Sequence, residues 1–289
     1  MINHEIKITD LTFHYSRRQQ LFNRLNINLF PGHLYGLLGK NGEGKSTLLR
    51  LIGGLLYPKA GSVVVAGHHP RRRQPAFLQE IFFLPEEIYL PSVRIKRFME
   101  SRSVFYPNFS KDQFFQGLQR FEIEAKENLN NLSFGQKKKV LIAFALAANT
   151  PVVVMDEPTN GLDIPSKKQF RQLIAAHFTE ERLFLISTHQ VKDLENLIDQ
   201  VLIMHQHQIL INEKLDVLGE KLSFSKLSNT ENNQQLLYAE PSLHGYDAVL
   251  ENINQSDNKV ELEPLFNAAV SQPERLARLL QTAPKSKEL

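Results

Sequence analysis

Gly39-Lys40-Asn41-Gly42-Glu43-Gly44-Lys45-Ser46-Thr47 is the stretch that decides the fold of this chain. Its spacing, G-x-x-x-x-G-K-S-T, is that of a phosphate-binding loop, because glycine-rich backbone can turn its N–H groups inward around a polyphosphate. Gly39, Asn41, Gly42, Gly44 and Thr47 belong to that cradle, Lys45 is spaced to reach the outer phosphates, and the Ser46 hydroxyl is spaced to hold Mg²⁺. Before the loop, the apolar run His33-Leu34-Tyr35-Gly36-Leu37-Leu38 reads as a buried parallel strand. After it, Thr47-Leu48-Leu49-Arg50-Leu51-Ile52 has helical spacing. Strand, glycine loop and helix together aim a helix N-terminus at the phosphates, where backbone dipoles favour an anion. A chance glycine-rich turn would lack those flanks.

Composition narrows the class further. The chain has 289 residues, 42% of them apolar, enough for a substantial core. No stretch approaches the roughly 20 apolar residues of a membrane span. Met1-Ile2-Asn3-His4-Glu5 lacks the basic-then-apolar pattern of a secretory signal. Without cysteine there are no disulfides and no cysteine metal sites, which fits a cytosolic protein. A net charge of +3 gives no case for nucleic acid as a partner, and Arg71-Arg72-Arg73 reads as a solvated loop.

Alternation of apolar and polar residues predicts strands over 5–13 (Ile6, Ile8, Leu11, Phe13), over Leu25 to Phe30 and over Gly61 to Gly67. Pro31-Gly32 reads as a turn. Residues 92–128 read as two helical pieces broken at Pro107, the second with Phe114, Phe115, Leu118 and Phe121 at helical spacing. An apolar helix follows over 133–148, then buried strands at Pro151 to Asp156 and Leu183 to Ser187. This alternation implies an α/β sheet with crossover helices. Near Asn212 the composition turns to Asn, Gln and Ser. Beyond it, strand-like pieces stand at Leu236-Leu237-Tyr238 and Lys259 to Leu262, an amphipathic helix runs from Leu262 to Leu280, and the final residues read as frayed.

Four apolar residues ending in an acid, Val152-Val153-Val154-Met155-Asp156, describe a core strand that delivers a carboxylate to its C-terminal edge. In phosphate-loop NTPases such an aspartate completes the Mg²⁺ shell, and the adjacent Glu157 is placed to polarise an attacking water. Leu132-Ser133-Phe134-Gly135-Gln136 resembles the signature motif of the ATP-binding cassette superfamily, usually Leu-Ser-Gly-Gly-Gln, and it stands at the start of the helix preceding the Asp156 strand. Other motifs follow in family order over residues 5–212. Tyr15 resembles the aromatic that stacks on adenine. Gly161-Leu162-Asp163 resembles the loop that crosses a dimer interface. Ser187-Thr188-His189 resembles the switch whose histidine contacts the γ-phosphate.

The resemblance implies an α/β fold of the P-loop NTPase type. Its mainly parallel sheet core would carry an antiparallel β subdomain, an inserted α-helical subdomain at about 90–145 and a small C-terminal extension. It divides the chain into a nucleotide-binding domain over 1–212 and an extension over 213–289. It implies hydrolysis of ATP with Mg²⁺ by Lys45, Ser46, Asp156, Glu157 and His189. It also implies a head-to-tail pairing with a second cassette, homodimeric or heterodimeric, because Ser133, Gly135, Gln136 and Asp163 would cap nucleotide held by the partner.

Several residues depart from the family pattern. Phe134 replaces a signature glycine, where its ring would either loosen the cap or point aside. Lys40 and Glu43 replace smaller residues at loop positions that tolerate change. Glu86, in Phe83-Leu84-Pro85-Glu86-Glu87, stands where the family has a metal-contacting glutamine, and a carboxylate there would bind Mg²⁺ more strongly than an amide.

Val104 to Phe109 and the Leu262-Glu263-Pro264-Leu265-Phe266 pattern resemble bacterial cassettes of the ABC-2 export type. That implies a cytoplasmic subunit, peripheral on the inner face of the cell membrane, driving separate transmembrane permease subunits. Tyr89 and Phe105 are the aromatics expected to meet them. Two cassettes in one chain or long inserted coiled coils would mark translation or chromosome proteins, and neither is present. The alternative is a regulatory ATPase acting on a soluble partner.

Overall fold

The alternating segments near the N-terminus pair into a small sheet. In the computed structural model, which describes residues 4–16, 19–230, 234–253 and 258–281, β1 (Ile6–Ser16), β2 (Gln19–Leu29) and β4 (Ala60–Val65) form an antiparallel sheet in the order β2-β1-β4. Ile6 lies opposite Leu29 and Ile8 opposite Ile27, so one face is apolar and turns inward.

The runs of apolar residues form a second sheet. β3 (His33–Leu38), β5 (Ile81–Leu84), β6 (Val152–Asp156), β7 (Leu183–Thr188), β8 (Gln200–His205) and β9 (Gln208–Lys214) assemble in the order β5-β6-β7-β3-β8-β9. All neighbours are parallel except the β8–β9 hairpin. Because side chains alternate along a strand, each strand feeds two cores. Val152, Val154, Leu183 and Leu185 join the small sheet and α1 (Lys45–Ile52) on one face. Val153, Met155, Phe184 and Ile186 join the helical and C-terminal elements on the other. The register aligns Leu38 with Thr188 and Asp156 with Ser187, so the loops after β3, β6 and β7 leave the sheet at one level.

The expected pair of helices is present as α3 (Ile95–Ser103) and α4 (Lys111–Arg120), with Pro107 in the break and Ser110 capping α4 through the Gln113 amide at 3.3 Å. They pack on α5 (Phe134–Ala147), whose Phe144 is surrounded by Phe82, Phe98, Tyr106, Phe109 and Phe114. Tyr89 and Phe105 stay exposed. The short α2 (Pro75–Glu80) leads into β5, and α6 (Ile164–His177) connects β6 to β7.

After β9 comes α7 (Leu215–Lys221), then an antiparallel sheet of β10 (Leu222–Leu227), β11 (Leu236–Ser242) and β12 (Gly245–Glu251) in the order β10-β12-β11. Two sequence expectations are corrected here. The Lys259 to Leu262 stretch is no strand, because Leu262 already opens α8 (Leu262–Ser271). The single helix over 262–280 is two, since Gln272 leaves helical geometry and Pro273, which has no N–H to continue the ladder, starts α9 (Pro273–Gln281). The final residues read as frayed, 282–289, lie outside the described residues. Leu218, Leu222, Leu237, Val249, Leu262, Leu265 and Ala269 share one core with Leu194, Ile198, Val201 and Ile211. Among the described residues no helix is long and apolar enough to cross a membrane.

Candidate nucleotide-binding site

The loop after β3 turns on glycines that have no substitute. Gly44 caps α1 at φ 106°, a left-handed conformation, and a Cβ there would meet the Phe22 ring at 2.9 Å. Lys45 is buried, and its ammonium donates to the carbonyls of Gly39 at 2.6 Å and Lys40 at 3.2 Å. Burial pulls its pKa below the ordinary lysine value, against the opposing pull of Glu157, Asp156, Glu43 and Glu86.

Glu43 is more than a tolerated departure. Its carboxylate lies 3.1 Å from His205 Nδ1 and accepts the His207 amide at 3.1 Å, so the β8–β9 turn anchors the loop.

Strand ends supply the acids. Asp156 is fully buried; its Oδ1 accepts from the Ser187 hydroxyl at 2.6 Å, while its Oδ2 is buried without a partner. Glu157 sits at φ 47°, a conformation rare for a residue with a side chain, with its amide donating to the Ser187 hydroxyl at 3.2 Å. One Glu157 oxygen lies 2.8 Å from His189 Nδ1, and the other accepts from the Thr188 hydroxyl at 3.3 Å. Glu86 accepts from the Asn160 side-chain amide at 3.4 Å.

These groups meet in a cavity of about 670 Å³ lined by Tyr15, Leu21, Lys40, Asn41, Gly42, Gly44, Lys45, Ser46, Thr47, Glu86, Glu157, Asn160 and His189. That volume lies within the usual range for small-molecule sites. The Tyr15 ring is exposed at the rim, and its hydroxyl is 2.9 Å from Thr47 Oγ1. Gly39 and Asp156 are not part of the cavity lining.

Ser133, Gly135, Gln136 and Asp163 do not line the cavity either. Ser133 and Gln136 close a reciprocal capping box at the start of α5, and Asp163 caps α6 through the Ser166 amide at 2.9 Å. A Cβ on Gly135 would stand 2.6 Å from the Gly161 carbonyl oxygen, so the two helix starts form one tightly packed face. The Phe134 ring is half exposed and packs beside Gly161.

Sequence reasoning missed Leu21, Asn160 and the buried Lys138. Asn160 falls between two quoted motifs. Lys138 is fully buried although it is the middle one of the three lysines Lys137-Lys138-Lys139, a polar run that reads as solvated in the sequence.

Residues 22–160 match the family described as ABC transporter. Over that segment the chain carries this family's domain. It is an ATP-binding, ATP-hydrolysing subunit of this kind. It is 29% identical over 252 residues to the bacitracin transport ATP-binding protein BcrA of Bacillus licheniformis, covering 84% of this chain and 81% of that one. It is 29% identical over 220 residues to the lantibiotic transport ATP-binding protein SrtF of Streptococcus pyogenes, covering 73% and 91%. A solved ATP-binding subunit of an ABC transporter superposes with a TM-score of 0.67 at 23% identity, over 73% of this subunit and 90% of that chain, which speaks to the fold.

Proposed function

We propose that this ATPase powers export through separate transmembrane permease subunits, from the cytoplasmic face of the membrane, and that it works as a pair of cassettes. The observation that carries the catalytic part is the Glu157 carboxylate 2.8 Å from His189 at a cavity also lined by Lys45. In this reading the loop amides from Gly39 to Thr47 and the Lys45 ammonium bind the phosphates, and Tyr15 stacks on adenine. Lys45 offsets the charge that spreads over the transferred phosphoryl group. Glu157 takes the proton of the attacking water, and His189 orients Glu157 and contacts the γ-phosphate.

The residues fit a magnesium ion. Among the described residues no group of three or more His, Cys, Asp or Glu side chains is arranged to hold a metal by itself. Mg²⁺ commonly takes one or two carboxylates plus substrate phosphates and water, which suits Asp156 with its unpartnered oxygen, the Ser46 hydroxyl and Glu86. When bound, the ion neutralises phosphate charge as a Lewis acid. Glu86→Gln is expected to raise the Mg²⁺ concentration for half-maximal ATPase activity by about ten-fold. An unchanged activation curve would remove Glu86 from the metal set.

Ser133, Gly135, Gln136 and Asp163, outside the chain's own cavity, are assigned to nucleotide held by a second cassette. A helix N-terminus with free amides suits that role. The chain is read as a nucleotide-binding domain over 1–212 with an accessory extension over 213–289. Exposed Tyr89 and Phe105 are the proposed contacts to the permease. The relatives' names make bacitracin and lantibiotics the first cargo to screen.

Purification of the tagged chain from its native membranes tests the proposal. Recovery of a permease with Mg²⁺-dependent ATPase activity supports it. An ATP-active chain that stays free of membrane partners would instead favour a regulatory ATPase.

A further inference from the structure

Lys138 has no part in the scheme above, yet it is the one lysine whose side chain is completely buried among the described residues. It sits one helical turn after Phe134 on α5. Its ammonium donates to the Glu157 carbonyl at 2.6 Å and lies 5.2 Å from the centroid of the Phe134 ring. A buried ammonium is tolerated only where donors are satisfied and opposite charge is near. Glu86, Glu157 and Asp156 supply that charge. A lysine kept here at the cost of dehydration holds something that an apolar residue would not.

What it holds is backbone under strain. Glu157 is in the left-handed region at φ 47°, which costs a side-chain-bearing residue energy and persists only where surrounding contacts impose it. Contacts at three of its groups impose it. The Glu157 amide is bound by Ser187, its side chain by His189 and Thr188, and its carbonyl by Lys138 and by the Asn160 amide at 3.2 Å. The first two come from β7 and the loop after it. Lys138 alone comes from α5, the helix whose first turn carries Ser133 and Phe134.

We infer that Lys138 is a positioning residue for Glu157, fixing the carbonyl of the strained peptide so that the carboxylate faces the attacking water. This rests on Glu157 being the group that polarises that water. The Phe134 ring, 5.2 Å from the ammonium and packed beside Gly161, is placed to help keep the lysine dehydrated and aimed. The ring is thus an element of the site.

Lys138→Met removes the donor at nearly constant volume, and Lys138→Arg restores a charged donor. For Lys138→Met the expected result is a kcat for ATP lower by about 30–100-fold, since a misplacement near 1 Å costs a catalytic group about that much. Nucleotide affinity, read by binding of a fluorescent ATP analogue, should stay within about three-fold, and Lys138→Arg should recover most of kcat. A kcat within about three-fold of the parent would overturn the inference. So would a parallel loss of affinity and kcat with a lowered unfolding temperature, the mark of mere packing. Should Lys138→Met fail to fold, Lys138→Gln is measured by the same criteria. A parent protein without Mg²⁺-ATPase activity would count against the proposed function itself, whereas an active parent with an indifferent Lys138→Met counts only against this role.

Discussion

Glu157→Gln is expected to lower ATP turnover by about 10²–10⁴-fold, the usual contribution of a general base. The substitution keeps the length and shape of the side chain, and its φ of 47° is no harder for Gln than for Glu. The Thr188 hydroxyl can still donate to an amide oxygen, and His189 Nδ1 retains a polar neighbour in place of the carboxylate 2.8 Å away. What disappears is the basic oxygen proposed to accept the proton of water. Nucleotide affinity should therefore change little, because the loop amides and Lys45 are untouched. If two cassettes close around ATP, the slow variant should accumulate as a dimer in sedimentation runs with ATP and separate without it. A turnover within ten-fold of the parent would take Glu157 out of the base role. Combining the change with His189→Ala should cost far less than the product of the two single effects, because the pair acts as one unit.

Phe144→Ala is expected to cost about 3–5 kcal/mol of stability, the range for emptying a buried Phe site. Phe144 is almost fully buried, and its ring centroid is 4.8 Å from Phe109, 5.6 Å from Phe98, and within 6.0 Å of Phe82, Tyr106 and Phe114. These rings come from β5, α3, α4 and the segment between the two helices, so one side chain touches rings from four parts of the chain. Neighbouring rings cannot collapse into the void without leaving each other. In a calorimetric scan the unfolding midpoint should fall by about 6–20 °C, at about 2–4 °C per kcal/mol for a chain of this size. Phe115, more than a third exposed, serves as the control and should move it by a degree or two at most. A shift for Phe144→Ala as small as that would mean the cluster relaxes freely.

The phosphate loop and its strands were legible because their signals are local. A nine-residue motif fixes the turn chemistry, and strands buried on both faces show as unbroken apolar runs such as Val152 to Met155. The C-terminal region was harder for equally physical reasons. In β10 the apolar residues alternate with Ser and Lys, and β11 contains Pro241, so neither has the composition of a buried strand. The apolar spacing from Leu262 through Leu276 crosses the break at Gln272, and Pro273 was the sign that one helix had ended. Glu157 and His189, which line the cavity, and Asp156 at the end of β6 were named from motif order. The anchoring of Glu43 was not, since His205 and His207 lie on a hairpin far along the chain. Nor was the left-handed Glu157, whose geometry comes from β7 and α5 together.

Helix α8 lies against the Val191–Asp193 turn that follows His189, with Lys192 Nζ 3.1 Å from Glu263 and Leu262, Leu265 and Ala269 in the core shared with Leu194 and Ile198. The exposed ion pair is worth little by itself, so the apolar seam decides the matter. The tail is therefore fitted to this chain's own turn after His189. A chimera carrying a relative's last seventy or so residues would inherit a seam cut for another chain, and a chain stopped after β9 would carry a bare apolar flank beside the turn after His189.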